Sequence, residues 1–307
     1  MKLKYLILSL APLFVCLSIS VIAYFAAFAM TVITGGVDTM DISSAMVNET
    51  IFSLFRYTLV LIFCGLWYTK AFPEAVYFRK TSVSEVLKKT LNPKGLIPII
   101  ILGYSIQIFT DSILYFISIY FKEFFVSYSE MMEIFEGSTS IFFILCVCTI
   151  GPIAEELVFR GLSLRYLMKA FPVSASIVIQ ALLFALYHGN IVQGCYAFLF
   201  GVIFGVIAVK SDSLIPSSLI HMITNASLYL VPEKLFKNSI AGYTTLFISL
   251  TLLIISFILL CRYFGNKAAV SKNDSHKATA SKNDSHKATA SEDDAHKPSE
   301  SDHPDNQ

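Results

Sequence analysis

Long apolar runs are the feature that most restricts what this chain can fold into. Several runs of about twenty apolar residues recur along its 307 residues, and a helix of that length spans the hydrocarbon core of a bilayer, about 30 Å. Hydrophobic residues make up 55% of the chain and charged residues only 15%, with a mean hydropathy of +0.66. The sequence therefore predicts an all-α fold, a polytopic transmembrane helical bundle of about eight membrane helices embedded in a lipid bilayer.

The chain divides into segments of different character. The first apolar run, 5–33, is longer than the usual signal-peptide core of about 7 to 15 residues, so we interpret it as a membrane helix rather than a cleaved signal. The decapeptide SKNDSHKATA occurs at 271–280 and again at 281–290, and this composition predicts a disordered tail. The predicted organisation is N-terminal membrane helices at 1–138, a catalytic helical core at 139–232, a last membrane helix at 233–265 and the tail at 266–307.

Charge and cysteine content exclude some functions and orient the chain. The net charge of +1 gives no reason to expect a nucleic-acid partner. Basic residues concentrate in the connections that lie on the same side as the N-terminus, whereas the opposite connections hold only Lys122, Lys234 and Lys237. This bias predicts that both termini are cytoplasmic. All six cysteines lie in or beside apolar runs, which predicts buried thiols rather than disulfides.

Three ionisable residues, Glu155, Glu156 and Arg160, interrupt the apolar run at 151–161. Burial of one such residue in the membrane costs about 2.5 to 3.5 kcal/mol. On a helix, Glu156 and Arg160 stand four residues apart and share a face, so they can neutralise each other. Glu155 lies about 100° round the helix axis from Glu156. Its i+4 position is occupied by Phe159, which cannot neutralise it. The pattern therefore predicts one paired carboxylate and one that is left for another role.

Two further polar clusters with the same four-residue spacing follow in the next apolar segments: Phe184 with His188, and His221 with Asn225. Glu156 precedes the break at Phe171–Pro172 by about as many residues as His188 follows it, so both lie about 22 to 24 Å from that turn. An antiparallel hairpin therefore brings Glu156 and His188 to the same depth in the membrane. His221 reaches the same depth if this hairpin projects beyond the membrane face.

Two imidazoles and two carboxylates on neighbouring helices can activate a water molecule in two ways. Glu155, His188 and His221 are candidate ligands of a zinc ion that carries the water. Alternatively, a carboxylate acts as general base without a metal, while Asn225 donates to the oxyanion. Each residue also has a structural interpretation, as a polar bridge or an ion pair. Three further intramembrane polar residues are interpreted as structural or substrate-path contacts: Arg56, Gln107 and Asp111.

The three clusters together resemble the motifs of the CPBP (Abi) family of intramembrane proteases, which includes the eukaryotic type 2 CAAX prenyl protease. That family's pattern is EExxxR, FxxxH and HxxxN, and every position is matched here, in order, between residues 140 and 230. The resemblance implies that Glu155 and His188 activate the hydrolytic water. It also implies that His221 and Asn225 bind metal or stabilise the oxyanion, while Glu156 and Arg160 hold the site in shape.

The predicted function is therefore an intramembrane endopeptidase, of metallo or glutamic type, acting on a membrane-associated or lipidated peptide or protein in the bacterial cell membrane. The alternative is a non-catalytic membrane scaffold or a bacteriocin self-immunity protein that keeps the motifs for folding. A transporter with an acidic relay is a third hypothesis. It predicts ion-coupled flux that depends on Glu155.

Overall fold

The computed structural model describes residues 2–33, 42–72, 83–137, 140–232, 235 and 238–265, and within these ranges the regular structure is helical with no strand. The predicted all-α class is confirmed. The tail predicted to be disordered, 266–307, lies outside the described residues. The helices are α1 (Lys2–Ile33), α2 (Ile42–Ala71), α3 (Val83–Leu91), α4 (Pro93–Tyr120), α5 (Lys122–Gly137), α6 (Ile141–Met168), α7 (Val173–Tyr187), α8 (Ile191–Ser211), α9 (Leu214–Ser227) and α10 (Ser239–Gly265).

Six of the described helices are long and apolar enough to cross a membrane: α1, α2, α4, α6, α8 and α10. The protein is therefore an integral membrane protein, as predicted. The other two predicted spans are shorter, because α7 has 15 residues and α9 has 14, which correspond to about 21 to 22 Å of helix. The orientation of the termini stays a prediction.

Two further helices, α3 and α5, lie outside the predicted membrane spans. The basic connection that follows the second span contains α3, whose residues Val86 and Thr90 are buried. The acidic segment after α4 forms α5, which has 16 residues. Neither segment has a long apolar run, so a search for membrane spans passes over both.

Small residues allow α7 and α8 to pack closely against each other. A Cβ atom added to Gly201 would lie 2.8 Å from the Cα atom of Ala181, and one added to Gly205 would lie 2.8 Å from Nε2 of Gln180. The two helices approach each other this closely because both positions lack a side chain. The contact fixes α7, which carries His188 at its end, against α8.

Polar caps determine where α8 and α9 begin. The side chain of Asn190 accepts hydrogen bonds from the backbone N–H groups of Val192 and Gln193, at 2.9 and 3.2 Å. The hydroxyl of Ser213 accepts one from Ile215 N–H at 3.1 Å. Such caps satisfy donors that a helix leaves unpaired at its first turn. They therefore fix the register of α9 and, with it, the depth of His221.

Helix α6 lies at the centre of the bundle and packs against α1, α2, α7 and α9. Its residues Phe159 and Leu162 are fully buried. Arg165 near the end of α6 is only 3% exposed, and its guanidinium lies over the rings of Tyr68 and Phe72. Aromatic faces of α2 and of the residue that follows it therefore cover this charge.

The cysteines follow the predicted pattern with one exception. Cys16, Cys64, Cys146 and Cys148 are buried as free thiols, and Cys261 is partly buried. Cys195 is exposed, contrary to the prediction, because it lies on a face of α8 that borders an open apolar groove.

Candidate active site

Helix α6 changes its hydrogen-bond register on both sides of the two glutamates. Residues Cys146–Ile150 and Leu157–Ser163 are π-helical, and the intervening Gly151–Glu156 is α-helical. At the first junction the N–H of Gly151 donates to the carbonyl of Cys146, five residues earlier. Short π segments inside α-helices are frequent at functional sites. No periodicity in the sequence signalled them.

The register change leaves the carbonyl of Val147 without a helical partner. In the α register its donor would be Gly151 N–H, which is already bonded to Cys146. In the π register the donor would be residue 152, which is a proline and has no N–H. The side-chain amide of Asn225 donates to this carbonyl instead, at 3.1 Å. Pro152 and the π segment thus create the acceptor that positions Asn225.

Glu156 and Arg160 form the ion pair that their spacing predicted. Nη1 of Arg160 lies 2.9 Å from Oε1 of Glu156, and both side chains are fully buried. The guanidinium also lies over the rings of Phe184 and Phe204, with its carbon 4.4 and 5.3 Å from their centroids. The pair therefore connects α6 to α7 and α8 through two aromatic faces.

A carbonyl of α8 extends this polar network. Nη2 of Arg160 lies 3.5 Å from the carbonyl oxygen of Gly201, which also accepts a 2.7 Å hydrogen bond from Nε2 of Gln180. Gln180 was not among the predicted site residues, although it is a fully buried amide in an apolar helix. Its signal in the sequence is that of a polar residue in an apolar run, one helical turn before Phe184.

His221 lies between the two carboxylates. Its Nδ1 is 3.3 Å from Oε1 of Glu156 and its Nε2 is 3.7 Å from Oε2 of Glu155. The ring of Phe204 stacks on the imidazole with centroids 4.9 Å apart. The contact to Glu156 is a hydrogen bond, and because the carboxylate of Glu156 is ion-paired and accepts, Nδ1 carries the hydrogen. Nε2 therefore faces Glu155.

His188 ends α7 and is held by the backbone. Its Nδ1 lies 2.8 Å from the carbonyl oxygen of Phe184. A carbonyl only accepts, so Nδ1 carries the hydrogen and the lone pair of Nε2 stays available. The ring of Phe184 meets the imidazole edge-on at 4.7 Å. Phe184, the first residue of the second motif, therefore orients His188 with both its backbone and its ring.

Glu155 differs from its neighbour in its surroundings. Its side chain is 12% exposed, and the hydroxyl of Tyr57 on α2 donates to its Oε1 at 3.4 Å. Sequence reasoning missed Tyr57, which lies in an apolar span beside Arg56. The carboxyl group lines a cavity of about 390 Å³, and so do His188, His221 and Asn225. The structure thus brings four of the six predicted site residues to one cavity, with Glu156 and Arg160 behind His221.

The predicted zinc ligands do not form a metal site in their present positions. Among the residues that the structure describes, no three His, Cys, Asp or Glu side chains are placed to hold a metal ion together. Glu155, His188 and His221 share the cavity, but only Glu155 and His221 are in direct contact. The zinc ion therefore stays a prediction, and elemental analysis of the purified protein tests it, with about one zinc per chain confirming it.

A helical membrane protein in which a shielded carboxylate shares a cavity with two imidazoles and an amide has the groups that hydrolysis of an amide requires. Comparison with known families agrees with this class. Residues 137–227 match the family described as type II CAAX prenyl endopeptidase Rce1-like. This match confirms the resemblance carried by the three motifs. No curated protein and no solved structure matches the chain significantly.

Proposed function

We propose that the chain hydrolyses a peptide bond of a membrane-associated or lipidated peptide or protein, with Glu155 as the general base that activates water. One observation carries this proposal. Of the two adjacent carboxylates, Glu156 is ion-paired and fully buried, whereas Glu155 opens into a cavity that it shares with both imidazoles and Asn225. A base needs access to water and substrate, and Glu155 has it.

The proposed reaction begins with a water molecule held between Glu155 and the Nε2 atom of His188. Glu155 takes a proton from this water while the oxygen of the water adds to the carbonyl carbon of the substrate. The carbonyl oxygen becomes an oxyanion. When the C–N bond breaks, the proton on Glu155 passes to the leaving amine, which restores the carboxylate. Atoms and charge balance without a further reactant.

Asn225 is the proposed stabiliser of the oxyanion. Nε2 of His221 has no hydrogen to donate, because Nδ1 carries it, and is proposed to accept a hydrogen bond from the carboxyl group of Glu155 while that group holds the proton. The amide nitrogen of Asn225 has two hydrogens, and the bond to Val147 uses one of them. The second is free to donate to the oxyanion from a fixed position. A donor whose orientation is set before the reaction loses little free energy in reorganising, which is the main benefit of an oxyanion hole.

Glu156 and Arg160 act in this proposal through His221. The ion pair keeps Glu156 ionised as an acceptor for Nδ1 of His221, so that Nε2 of the ring faces Glu155. A carboxylate that fixes the tautomer and orientation of a catalytic imidazole is a recurring arrangement in hydrolases. The two residues are therefore positioning residues.

The substrate class follows from the family and the membrane. The matching family is described as CAAX prenyl endopeptidases, and the cavity is lined in part by α2, α4, α6 and α8, which are long and apolar enough to cross a bilayer. We therefore propose a substrate that carries a lipid or lies in the membrane and is cleaved close to the cytoplasmic side. A farnesylated peptide that ends in a CAAX sequence is the first probe.

The test uses purified protein reconstituted into liposomes and a fluorescent version of this peptide. Glu155→Gln is expected to lower the cleavage rate by about 10² to 10⁴-fold, the usual contribution of a general base, without a change in thermal stability. Glu123→Gln is the matched control, since Glu123 is an exposed carboxylate on α5 outside the cavity. Cleavage by Glu155→Gln at the wild-type rate would contradict the proposal and favour a non-catalytic role.

A further inference from the structure

Helix α2 supplies the one hydrogen bond that the carboxyl group of Glu155 receives within the part of the chain that the structure describes. The hydroxyl of Tyr57 donates to Oε1 of Glu155 at 3.4 Å. Nε2 of His221, which lies 3.7 Å from Oε2, has no hydrogen to donate because Nδ1 of that ring carries it. Tyr57 therefore makes the two oxygens of the proposed base different from each other.

A gap in the surface of α6 gives the phenol of Tyr57 its place. Tyr57 is only 8% exposed. A Cβ atom added to Gly151 would lie 2.9 Å from Cζ of Tyr57 and 3.1 Å from its hydroxyl oxygen, so a side chain at this position would push the phenol away. Gly151 lies one turn before Glu155 in an α-helical segment and shares its face. One turn of α6 therefore provides both the space for the phenol and the acceptor for its hydrogen.

Arg56 adds a positive charge beside this contact. Its guanidinium carbon lies 4.2 Å from the centroid of the Tyr57 ring, and it interacts electrostatically with Glu155. Helix α2 thus brings a hydrogen-bond donor and a cation to the proposed base. Neither residue belongs to the part of the chain that matches the family, 137–227, so the site extends beyond the three motifs.

We propose that Tyr57 is a positioning residue, whose hydroxyl fixes Oε1 of Glu155 so that Oε2 is the oxygen that takes the proton from water. The inference rests on the proposed function, in which Glu155 is the base. The last torsion of a glutamate side chain has a broad energy minimum, so a separate contact is needed to hold each oxygen in place. An oxygen that already accepts a hydrogen bond is the weaker proton acceptor of the two. The proton therefore goes to Oε2, which faces the lone pair of Nε2 of His221.

The Tyr57→Phe variant tests this role, because it removes only the hydroxyl and keeps the ring. Cleavage of the farnesylated CAAX peptide is measured in liposomes. We expect kcat to fall by about fivefold to thirtyfold, the effect of losing one hydrogen bond to a charged group, with KM and thermal stability unchanged. Tyr68→Phe is the matched control. Tyr68 lies about three turns further along α2, has the guanidinium of Arg165 over its ring, and is not among the described residues that line the cavity.

A second measurement follows Glu155 itself and does not depend on cleavage. Dicyclohexylcarbodiimide is a membrane-soluble reagent that modifies carboxyl groups in their protonated form, and mass spectrometry of peptides from the treated protein locates the modified residue. The hydroxyl of Tyr57 stabilises the ionised form of Glu155. At neutral pH, modification of Glu155 is therefore expected to be faster in Tyr57→Phe, by about the factor that kcat loses, and unchanged in Tyr68→Phe.

Gly151→Ala changes the same contact from the other helix. Its methyl group would displace the phenol while the hydroxyl remains present, so both effects of Tyr57→Phe are expected again. Combining the two substitutions should lower kcat no further than the larger single effect, since both act through Oε1 of Glu155. If Gly151→Ala unfolds the protein, the two measurements on Tyr57→Phe decide the inference alone.

The outcomes separate this inference from the proposed function. An unchanged kcat in Tyr57→Phe overturns the inference, whatever the rate of modification, and leaves the proposed hydrolysis in place. A loss of kcat without faster modification, or a rise in KM alone, assigns the hydroxyl to the substrate and also refutes it, as does an equal loss in Tyr68→Phe. If the unmodified protein cleaves nothing, the proposed hydrolysis is removed; faster modification in Tyr57→Phe then still supports the contact with Glu155, and unchanged modification removes that as well.

Discussion

Replacing Pro152 by alanine is expected to uncouple Asn225 from helix α6. Alanine supplies the N–H group that residue 152 lacks, so the carbonyl of Val147 gains a helical partner in the π register. Asn225, whose amide now donates to that carbonyl at 3.1 Å, would no longer be needed there. We therefore expect Asn225→Ala to be costly in the natural sequence and much less costly in the Pro152→Ala background.

The size of the effect follows from the burial of the acceptor. Val147 is partly buried, and an unsatisfied buried polar group costs about 1 to 3 kcal/mol. Asn225→Ala alone should therefore lower the free energy of unfolding by about 1 to 2 kcal/mol, toward the lower end of that range. In the Pro152→Ala background most of this loss should disappear, which gives a coupling energy of about 1 kcal/mol between the two positions.

A double-mutant cycle measures this coupling. The free energy of unfolding is determined in mixed detergent micelles for the wild-type protein, both single variants and the double variant. The effect of proline on the unfolded chain appears on both sides of the cycle and cancels. A coupling smaller than about 0.5 kcal/mol, the usual limit of additivity, would refute the assignment of Val147 as an acceptor freed by Pro152. Pro152→Ala should also slow cleavage, because the freed amide is less well oriented.

Two further predictions concern stability in the same assay. Arg160→Met removes the ion-pair partner of the fully buried carboxylate of Glu156 and should lower the free energy of unfolding by about 3 to 5 kcal/mol. Adding Glu156→Gln should recover a large part of this loss. An equal loss in the double variant would show that the ion pair is not the cause. Gly103→Ala places a Cβ atom 2.6 Å from Cγ2 of Ile223 and should cost about 1 to 3 kcal/mol by forcing α4 from α9. Gly65→Ala, whose Cβ atom meets its nearest neighbour only at 4.0 Å, is the control and should not destabilise the protein.

The sequence predicted those parts of the site that depend on spacing within one helix. Glu156 and Arg160 are four residues apart on α6, and their ion pair at 2.9 Å follows from that spacing alone. Equal chain lengths on the two sides of Pro172 predicted that His188 and Glu156 lie at the same depth, and the structure places His188 in one cavity with Glu155, the neighbour of Glu156. Both arguments use only the rise and the angular step of a helix, which the local sequence fixes.

The parts that depend on which helices are neighbours could not be predicted in the same way. Tyr57 reaches Glu155 across 98 positions of the chain, and Gln180 reaches a carbonyl of α8. In lipid all the apolar faces are alike, so a hydrophobic pattern does not say which face meets which. The π segments could not be predicted for another reason. The first ends next to Pro152, which has no N–H group, and the second follows the two glutamates, and neither changes the hydrophobic pattern of the run.

The difference between Glu155 and Glu156 shows how adjacent identical residues are given separate roles. The helical step of about 100° turns one carboxylate toward Arg160 and the other toward the cavity. The first is enclosed by a guanidinium and an imidazole that keep it ionised and immobile. The second has a phenol hydroxyl and the more distant Nε2 of His221 as its neighbours and keeps access to the cavity. Where two carboxylates have different surroundings, one can stabilise the structure of the site while the other transfers a proton. The environment of each carboxylate, and not its residue type, therefore identifies Glu155 as the proposed base.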